Sequence, residues 1–285
     1  MIWLRHEKPK RWELEYHGPG GAFLKSLLGA TGIKSLALRR GVFSGCDVNF
    51  LGRLTSLEGL TVVDWKLKDA RPIERLTNLR KLRLQTPALD APVDLRRFPE
   101  LQDLSVDAAE FVTALESCAN LEQLFIARLK SEALSSLNNL RKLKAAEFSE
   151  PAFHRIGPVD LPKLESLIFK AARDLEDWGG LEGLPALKKL WLFKAPKLKS
   201  LDAFKQLREL DWLLLEDCGR LDSLQPIAQL PRLRQINIIG NTRIMDGQMS
   251  ALLSAPNLQV VSFPTRPSYD ATEQQLTDAI AKRRK

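Results

Sequence analysis

The chain has 285 residues, 44% of them hydrophobic and 27% charged, with a formal net charge of +8, the profile of a globular protein with ample apolar material for a core. No run approaches the ~18 consecutive apolar residues of a membrane-spanning helix, and Arg5, Glu7 and Lys8 stand where a signal peptide would carry its apolar segment. Three cysteines, Cys46, Cys118 and Cys218, widely separated and odd in number, argue against a disulfide framework and against a zinc site. A cytoplasmic location is the expectation.

In chain order, residues 1–32 come first. Trp12, Leu14 and Tyr16 alternate with Glu13 and Glu15, with Trp3 upstream; this period of two predicts a strand in an N-terminal cap. His17-Gly18-Pro19-Gly20-Gly21 reads as a turn, without the Lys and Ser/Thr of a phosphate-binding loop.

From residue 33 to about 265 a Leu-x-x-Leu-x-Leu unit recurs. Units start at Ile33, Leu57, Leu79, Leu101, Leu121 and Leu140, then at Leu164, Leu187, Leu210 and Leu233, and the last at Leu258. The four units from Leu164 are spaced 23 residues apart, and apolar positions stay in register through each: Leu175, Trp178, Leu181 and Leu184 align with Leu198, Leu201, Phe204 and Leu207. The remaining spacings run from 19 to 25 residues, the 19 falling after Leu121. Residues 266–285 close the chain. Asp270 with Glu273 three residues later reads as a capping box, and Leu276, Ala279 and Ile280 predict a short helix that ends in the basic tail Lys282-Arg283-Arg284-Lys285.

This pattern resembles the leucine-rich-repeat superfamily, its short intracellular type above all, over nearly the whole chain. The resemblance implies an α/β solenoid, a horseshoe of about eleven coils with a parallel β-sheet on its concave face and short helical or irregular return segments on its convex face. The sequence departs from that family at the ninth position of each unit, where Asn or Cys is usual. Here it is Trp65, Pro87, Ala109, Leu129, Phe148, Ala172 and Ala195, and only Cys218 and Asn241 conform. The turns must then satisfy their polar groups through backbone or water.

Strand alternation names the exposed residues. If unit positions 1, 4 and 6 face the core, 3, 5 and 7 face outward and 8 lies at the edge. That places Ser35, Ala37, Gly59, Thr61, Lys81, Arg83, Asp103 and Ser105 outward in the early units, with Asp64, Thr86 and Ala108 at the edge. It also places Lys142, Lys144 and Ala146 outward in the unit at Leu140. Farther on, Ile168, Trp191, Phe193, Trp212, Leu214 and Ile239 gather on neighbouring strands, bordered by Lys170, Lys189, Lys194 and Glu216. A solvated sheet face should read polar, so six large apolar side chains there point to a protein partner. The lysines suit an acidic one. Packing of the aromatics on one another is the simpler alternative.

Catalytic chemistry is not indicated. His6, His17 and His154 are the only histidines, and none is spaced for a triad or a metal site; no cofactor is expected, and His154 reads as a loop or surface residue. Asp103 and Asp107 beside Lys81 and Arg83 read as a cross-strand charge cluster. The expectation is a non-enzymatic, monomeric scaffold that acts as an inhibitor, immunity or adaptor protein. The alternative is a regulatory module that binds nucleic acid or an anionic surface through basic residues, against which the acidic side chains on the same face speak.

Overall fold

The structure, a computed structural model, describes residues 2–8, 11–16, 23–39 and 48–283, with side chains from residue 13 onward. The turn expected at residues 17–21, the side chains of Trp3, His6 and Trp12, residue Cys46 and the last two residues of the basic tail lie outside that description. Contacts divide the chain into two compact units, Met1–Arg128 and Leu129–Lys285.

In the first unit, β1 (Ile2–Lys8) pairs antiparallel with β2 (Arg11–Tyr16). β2 then begins a parallel series: β3 (Ser35–Arg39), β4 (Gly59–Val63), β5 (Lys81–Gln85), β6 (Asp103–Val106) and β7 (Gln123–Ala127). Helix α1 (Leu24–Thr31) precedes β3 and buries Leu24 and Leu28. It stops at Gly32, whose φ of 66° lets its N–H return to the Leu28 carbonyl.

The second unit repeats the plan. β8 (Ala145–Ser149), β9 (Ser166–Lys170), β10 (Lys189–Phe193), β11 (Trp212–Glu216), β12 (Gln235–Ile239) and β13 (Val260–Ser262) pair in parallel, each with the next. The connections are short 3-10 turns, among them Leu181–Gly183, Asp202–Gln206 and Met249–Ser254, because a coil of some 23 residues leaves no length for a full α-helix.

Each coil buries the same set. Leu164, Leu167 and Phe169, then Leu187, Leu190 and Leu192, then Leu210, Leu213 and Leu215 are fully enclosed. So are the leucines that close the return segments, Leu184, Leu207 and Leu230. One coil cannot bury such a set alone; stacking makes the core continuous. Aromatic residues fill the wider gaps: Phe148 stacks on Phe169 at 5.4 Å between centroids, and Trp178 packs edge-on to Phe169 at 5.9 Å.

The unit expected at Leu140 starts at Leu143 instead. β8 begins at Ala145, with Leu143, Ala146 and Phe148 buried and Ala145, Glu147 and Ser149 outward. Leu140 is the closing residue of the previous return segment, three positions ahead of the strand motif as Leu161 is ahead of Leu164. Lys142 and Lys144 are exposed but precede the strand, and Ala146 points into the core. With this start the spacing of 19 disappears, giving 22 and 21 residues on either side, and Pro151 rather than Phe148 holds the ninth position.

The turns after the strands solve the missing asparagine ladder with backbone. The N–H of Glu150 donates to the Lys170 carbonyl at 2.7 Å, Ala171 to Phe193 at 2.7 Å and Lys194 to Glu216 at 2.9 Å. The same residues sit in the left-handed region, with φ of 50° at Glu150, 54° at Ala171 and Lys194, 53° at Asp217 and 65° at Gly240. Asn241 is exposed; its neighbour Thr242, fully buried, takes the bonding role instead. Thr242 Oγ1 accepts from the Cys218 N–H at 3.0 Å and donates to the Leu215 carbonyl at 3.3 Å.

The last helix, α2 (Glu273–Arg283), lays Leu276 and Ile280 on the final coil. Its capping box is Thr272 with Gln275, not Asp270 with Glu273. Thr272 Oγ1 accepts from the Gln275 N–H at 3.2 Å, and Gln275 Oε1 accepts from the Thr272 N–H at 2.7 Å. Asp270 is drawn away to Ser250, whose N–H and hydroxyl both donate to it. Glu273 caps the sheet: its Oε2 accepts from the Phe263 N–H at 2.8 Å and from the Ser262 hydroxyl at 3.3 Å.

Candidate protein-binding face

On β8 to β13, alternate residues turn away from the core, and parallel pairing lines them up in rows. One row reads Glu147, Ile168, Trp191, Leu214, Asn237 and Ser262. The row on one side of it reads Ser166, Lys189, Trp212, Gln235 and Val260, and the row on the other Ser149, Lys170, Phe193, Glu216 and Ile239. Ile168, Trp191 and Leu214 are therefore direct neighbours on three successive strands. Trp212 lies two residues before Leu214, and Phe193 two residues after Trp191, so five apolar side chains form one contiguous cluster. Ile239 is set apart by Glu216. All six are partly exposed, as are Lys170 and Glu216, while Lys189 and Lys194 are exposed.

Polar contacts hold the central tryptophan from two sides. The indole N–H of Trp191 donates to Glu216 Oε2 at 3.2 Å, and Lys170 Nζ lies 5.2 Å from the ring centroid, within cation–π range. Lys170 is itself paired with Glu147 Oε1 at 2.5 Å. Lys194 Nζ lies 4.9 Å from the Phe193 ring. The sequence pattern places these residues on adjacent strands but does not show that Glu216, 25 positions away, takes the Trp191 donor. It places Glu147 at the strand edge, as the eighth position of a unit starting at Leu140, whereas Glu147 lies mid-strand opposite Ile168.

Along the mouth of each strand, charges alternate from coil to coil. Lys188 meets Glu165 at 3.0 Å, and Arg234 meets Asp211 through two bonds of 2.5 and 2.6 Å. The Arg234 guanidinium holds the Asp211 carboxyl below the usual carboxylate range. These cations are thereby neutralised by neighbours and lie beside the apolar cluster, not within it.

The outward face of the first unit is different. Ala37, Gly59 and Thr61, expected to be exposed, are buried, and so is Glu13. Glu13 on β2 reaches across β3 to accept a bond from Thr61 Oγ1 on β4 at 3.1 Å, while Arg39 Nη2 lies 3.8 Å from Glu13 Oε2. Small side chains there lie beneath longer charged neighbours. Asp64, Thr86 and Ala108, expected at the strand edge, turn inward and are buried. Asp107 is partly enclosed, and that desolvation raises its pKa. His154 is exposed in a return segment. Among the described residues no group of three or more His, Cys, Asp or Glu is arranged to hold a metal ion, and no helix is long and apolar enough to cross a membrane.

No protein-family model matches the sequence, and no curated protein matches it. Solved structures do. An internalin, InlF from Listeria monocytogenes, superposes with a TM-score of 0.54 at 17% identity, over 85% of this chain and 71% of its own. The chain has the leucine-rich-repeat fold. The functional domain of InlJ from Listeria monocytogenes is similar at 17% identity and a TM-score of 0.47, over 83% of this chain and 60% of its own. A chain of the mouse RP105/MD-1 complex is similar at 15% identity and 0.49, over 80% and 45%. On the second unit's parallel sheet, the apolar cluster lies on β9 to β11.

Proposed function

We propose that this chain is a non-catalytic protein-binding scaffold that grips one protein partner on the outward face of β9 to β12. The observation that carries the reading is the cluster Ile168, Trp191, Leu214, Trp212 and Phe193, partly exposed on a sheet face where polar residues are the rule. Rigid aromatics of this kind are typical anchors, and truncating one at an interface costs about 2 kcal/mol or more. Here the ring of Trp191 is already held by Glu216 and Lys170, so little freedom is lost on binding. The site residues are Trp191, Phe193, Trp212, Leu214 and Ile168, bordered by Lys170, Lys189, Lys194, Glu216 and Ile239. Within this reading the chain acts as an inhibitor, immunity or adaptor protein, a monomer in the cytoplasm.

The test is Trp191→Ala with Trp212→Ala beside the unaltered protein. Proteins recovered from host lysate are identified, produced in pure form and titrated against both chains. Loss of at least tenfold in affinity, with the circular dichroism spectrum retained, is the expected result. Equal affinity sinks the reading, and nuclease-sensitive recovery that ignores the two tryptophans favours the nucleic-acid alternative.

A further inference from the structure

The cations around the cluster are not all held in ion pairs, and the two exceptions lie at β10 and just beyond it. Lys170 is bound to Glu147 and Lys188 to Glu165. Farther along the return side, Lys197 Nζ lies 3.7 Å from both Asp174 and Glu176. Lys189, the first residue of β10, and Lys194, the residue after its last, have no such partner among the described residues. The carboxylate whose field Lys189 feels is Asp211, and both of its oxygens are taken by Arg234. Near Lys194, Glu216 Oε2 is engaged by the Trp191 indole, and Asp217 Oδ1 accepts the Asn241 N–H at 2.8 Å. Lys194 also sits in the left-handed region with φ of 54°, which sends its exposed side chain off the end of the strand to lie by the Phe193 ring.

Two ammonium groups without an ion pair among the described residues thus bracket Trp191 and Phe193. Five residues at ~3.3 Å rise place their backbones at most roughly 17 Å apart. The whole chain carries a net charge of +8, so its field favours an anionic visitor from a distance as well. Resting on the protein-binding reading above, we infer that the partner is an acidic protein segment that seats an apolar side chain between Trp191 and Trp212 and brings a carboxylate to each of Lys189 and Lys194. The aromatics supply the anchor; the lysines set the orientation and speed the encounter. A single-stranded nucleic acid would need a continuous cationic track, and Glu147, Glu216 and Asp217 interrupt one here.

A phage library of random dodecapeptides, selected in parallel on three immobilised chains, tests this. The chains are the unaltered protein, the Lys189→Glu/Lys194→Glu variant and the Trp191→Ala/Trp212→Ala variant. The unaltered protein is expected to enrich an apolar centre flanked by Asp or Glu, and the charge-reversed variant the same centre flanked by Lys or Arg. A synthetic peptide from the first selection is expected to bind the charge-reversed variant at least tenfold more weakly at 50 mM salt. That gap should narrow at 500 mM, where screening shortens the reach of the charges. The same flanking residues from both chains, or no enrichment on the unaltered protein, overturns the acidic-segment inference. If the tryptophan variant still alters selection, the binding reading survives that result; if it returns the unaltered consensus, the binding reading itself fails. A fluorescent 20-nucleotide single-stranded DNA that binds the unaltered protein more tightly than the selected peptide, and is lost on charge reversal, overturns it in favour of nucleic acid.

Discussion

Trp191 and Glu216 are joined across β10 and β11 by a 3.2 Å bond from the indole N–H to the carboxylate, so the central aromatic of the candidate face is oriented before any partner arrives. Replacing Glu216 by Ala should leave the fold alone, because a partly exposed hydrogen bond contributes only about 0.5–1.5 kcal/mol. It should free the indole, seen as a lower fluorescence anisotropy of Trp191 in a chain with the other tryptophans changed to Phe. Partner affinity should fall by several-fold. If Glu216→Ala lowers stability as much as a core truncation, the pair is structural instead of preorganising.

The coil starting at Leu143 offers a test of side-chain direction. Ala145 is outward and partly exposed, while Ala146 is 2% exposed. Ala145→Lys should be neutral within about 0.5 kcal/mol. Ala146→Lys should lose about 3 kcal/mol or more, because it buries an unpaired ammonium. Denaturant midpoints of the two variants decide the matter, and a lower midpoint for Ala145→Lys than for Ala146→Lys would restore Leu140 as the first residue of the unit.

That coil also shows what the sequence can and cannot convey. The inward leucines of the four units from Leu164 follow from spacing alone, since only a repeat every 23 residues keeps seven apolar positions in phase. At Leu140 the same rule fails, because the closing leucine of one coil stands three residues before the opening leucine of the next and both start an acceptable motif. Long-range side-chain choices are invisible for a different reason. Asn241 satisfies the family pattern, yet Thr242 makes the buried bonds, and Asp270 leaves the helix cap for Ser250. Local sequence offers several acceptable donors and acceptors, and tertiary packing selects among them. The outward position of Trp191, Trp212 and Phe193 was legible; the burial of Ala37, Gly59 and Thr61 was not, and for Thr61 it goes with a bond to Glu13 two strands away that strand alternation does not reveal.

Two glycines should respond in opposite senses to alanine. A Cβ on Gly183 would lie 1.5 Å from the Val159 carbonyl oxygen, so neighbouring return segments must separate to admit it. The expected cost is about 1–3 kcal/mol. Gly29 sits in α1 on its exposed side, and a methyl group added there would meet nothing within 4 Å. Alanine at that position should add about 0.5–1 kcal/mol through helix propensity. Thermal melts of the two single variants check both signs.

Burial raises the thiol pKa of Cys118 to about 11 and that of Cys218 to about 12, against roughly 8.5 in an unfolded chain. The folded state therefore holds both as neutral thiols. Their contribution to stability is complete below about pH 8.5 and declines as pH rises from there toward the folded values, because the unfolded chain releases its protons first. In a Cys46→Ser background, Ellman's reagent at pH 8 should find no reactive thiol in native protein and two in guanidinium chloride. Urea midpoints should fall between pH 8 and pH 10, and by less in a chain that also carries Cys218→Ala. A reactive native thiol at pH 8 would contradict the burial of these residues.

Glu273 closes the edge of the last strand, since its carboxylate takes the Phe263 N–H and the Ser262 hydroxyl. An exposed strand edge is a template for pairing with another chain, and Val260 on β13 is already 46% exposed. Glu273→Ala should therefore promote self-association, measured as a rise in mass by light scattering at high concentration. Thr272→Ala removes only the helix cap and should cost about 1 kcal/mol without association. The comparison separates edge protection from simple loosening of α2, because fraying of the helix is common to both variants and the freed Phe263 amide belongs to one.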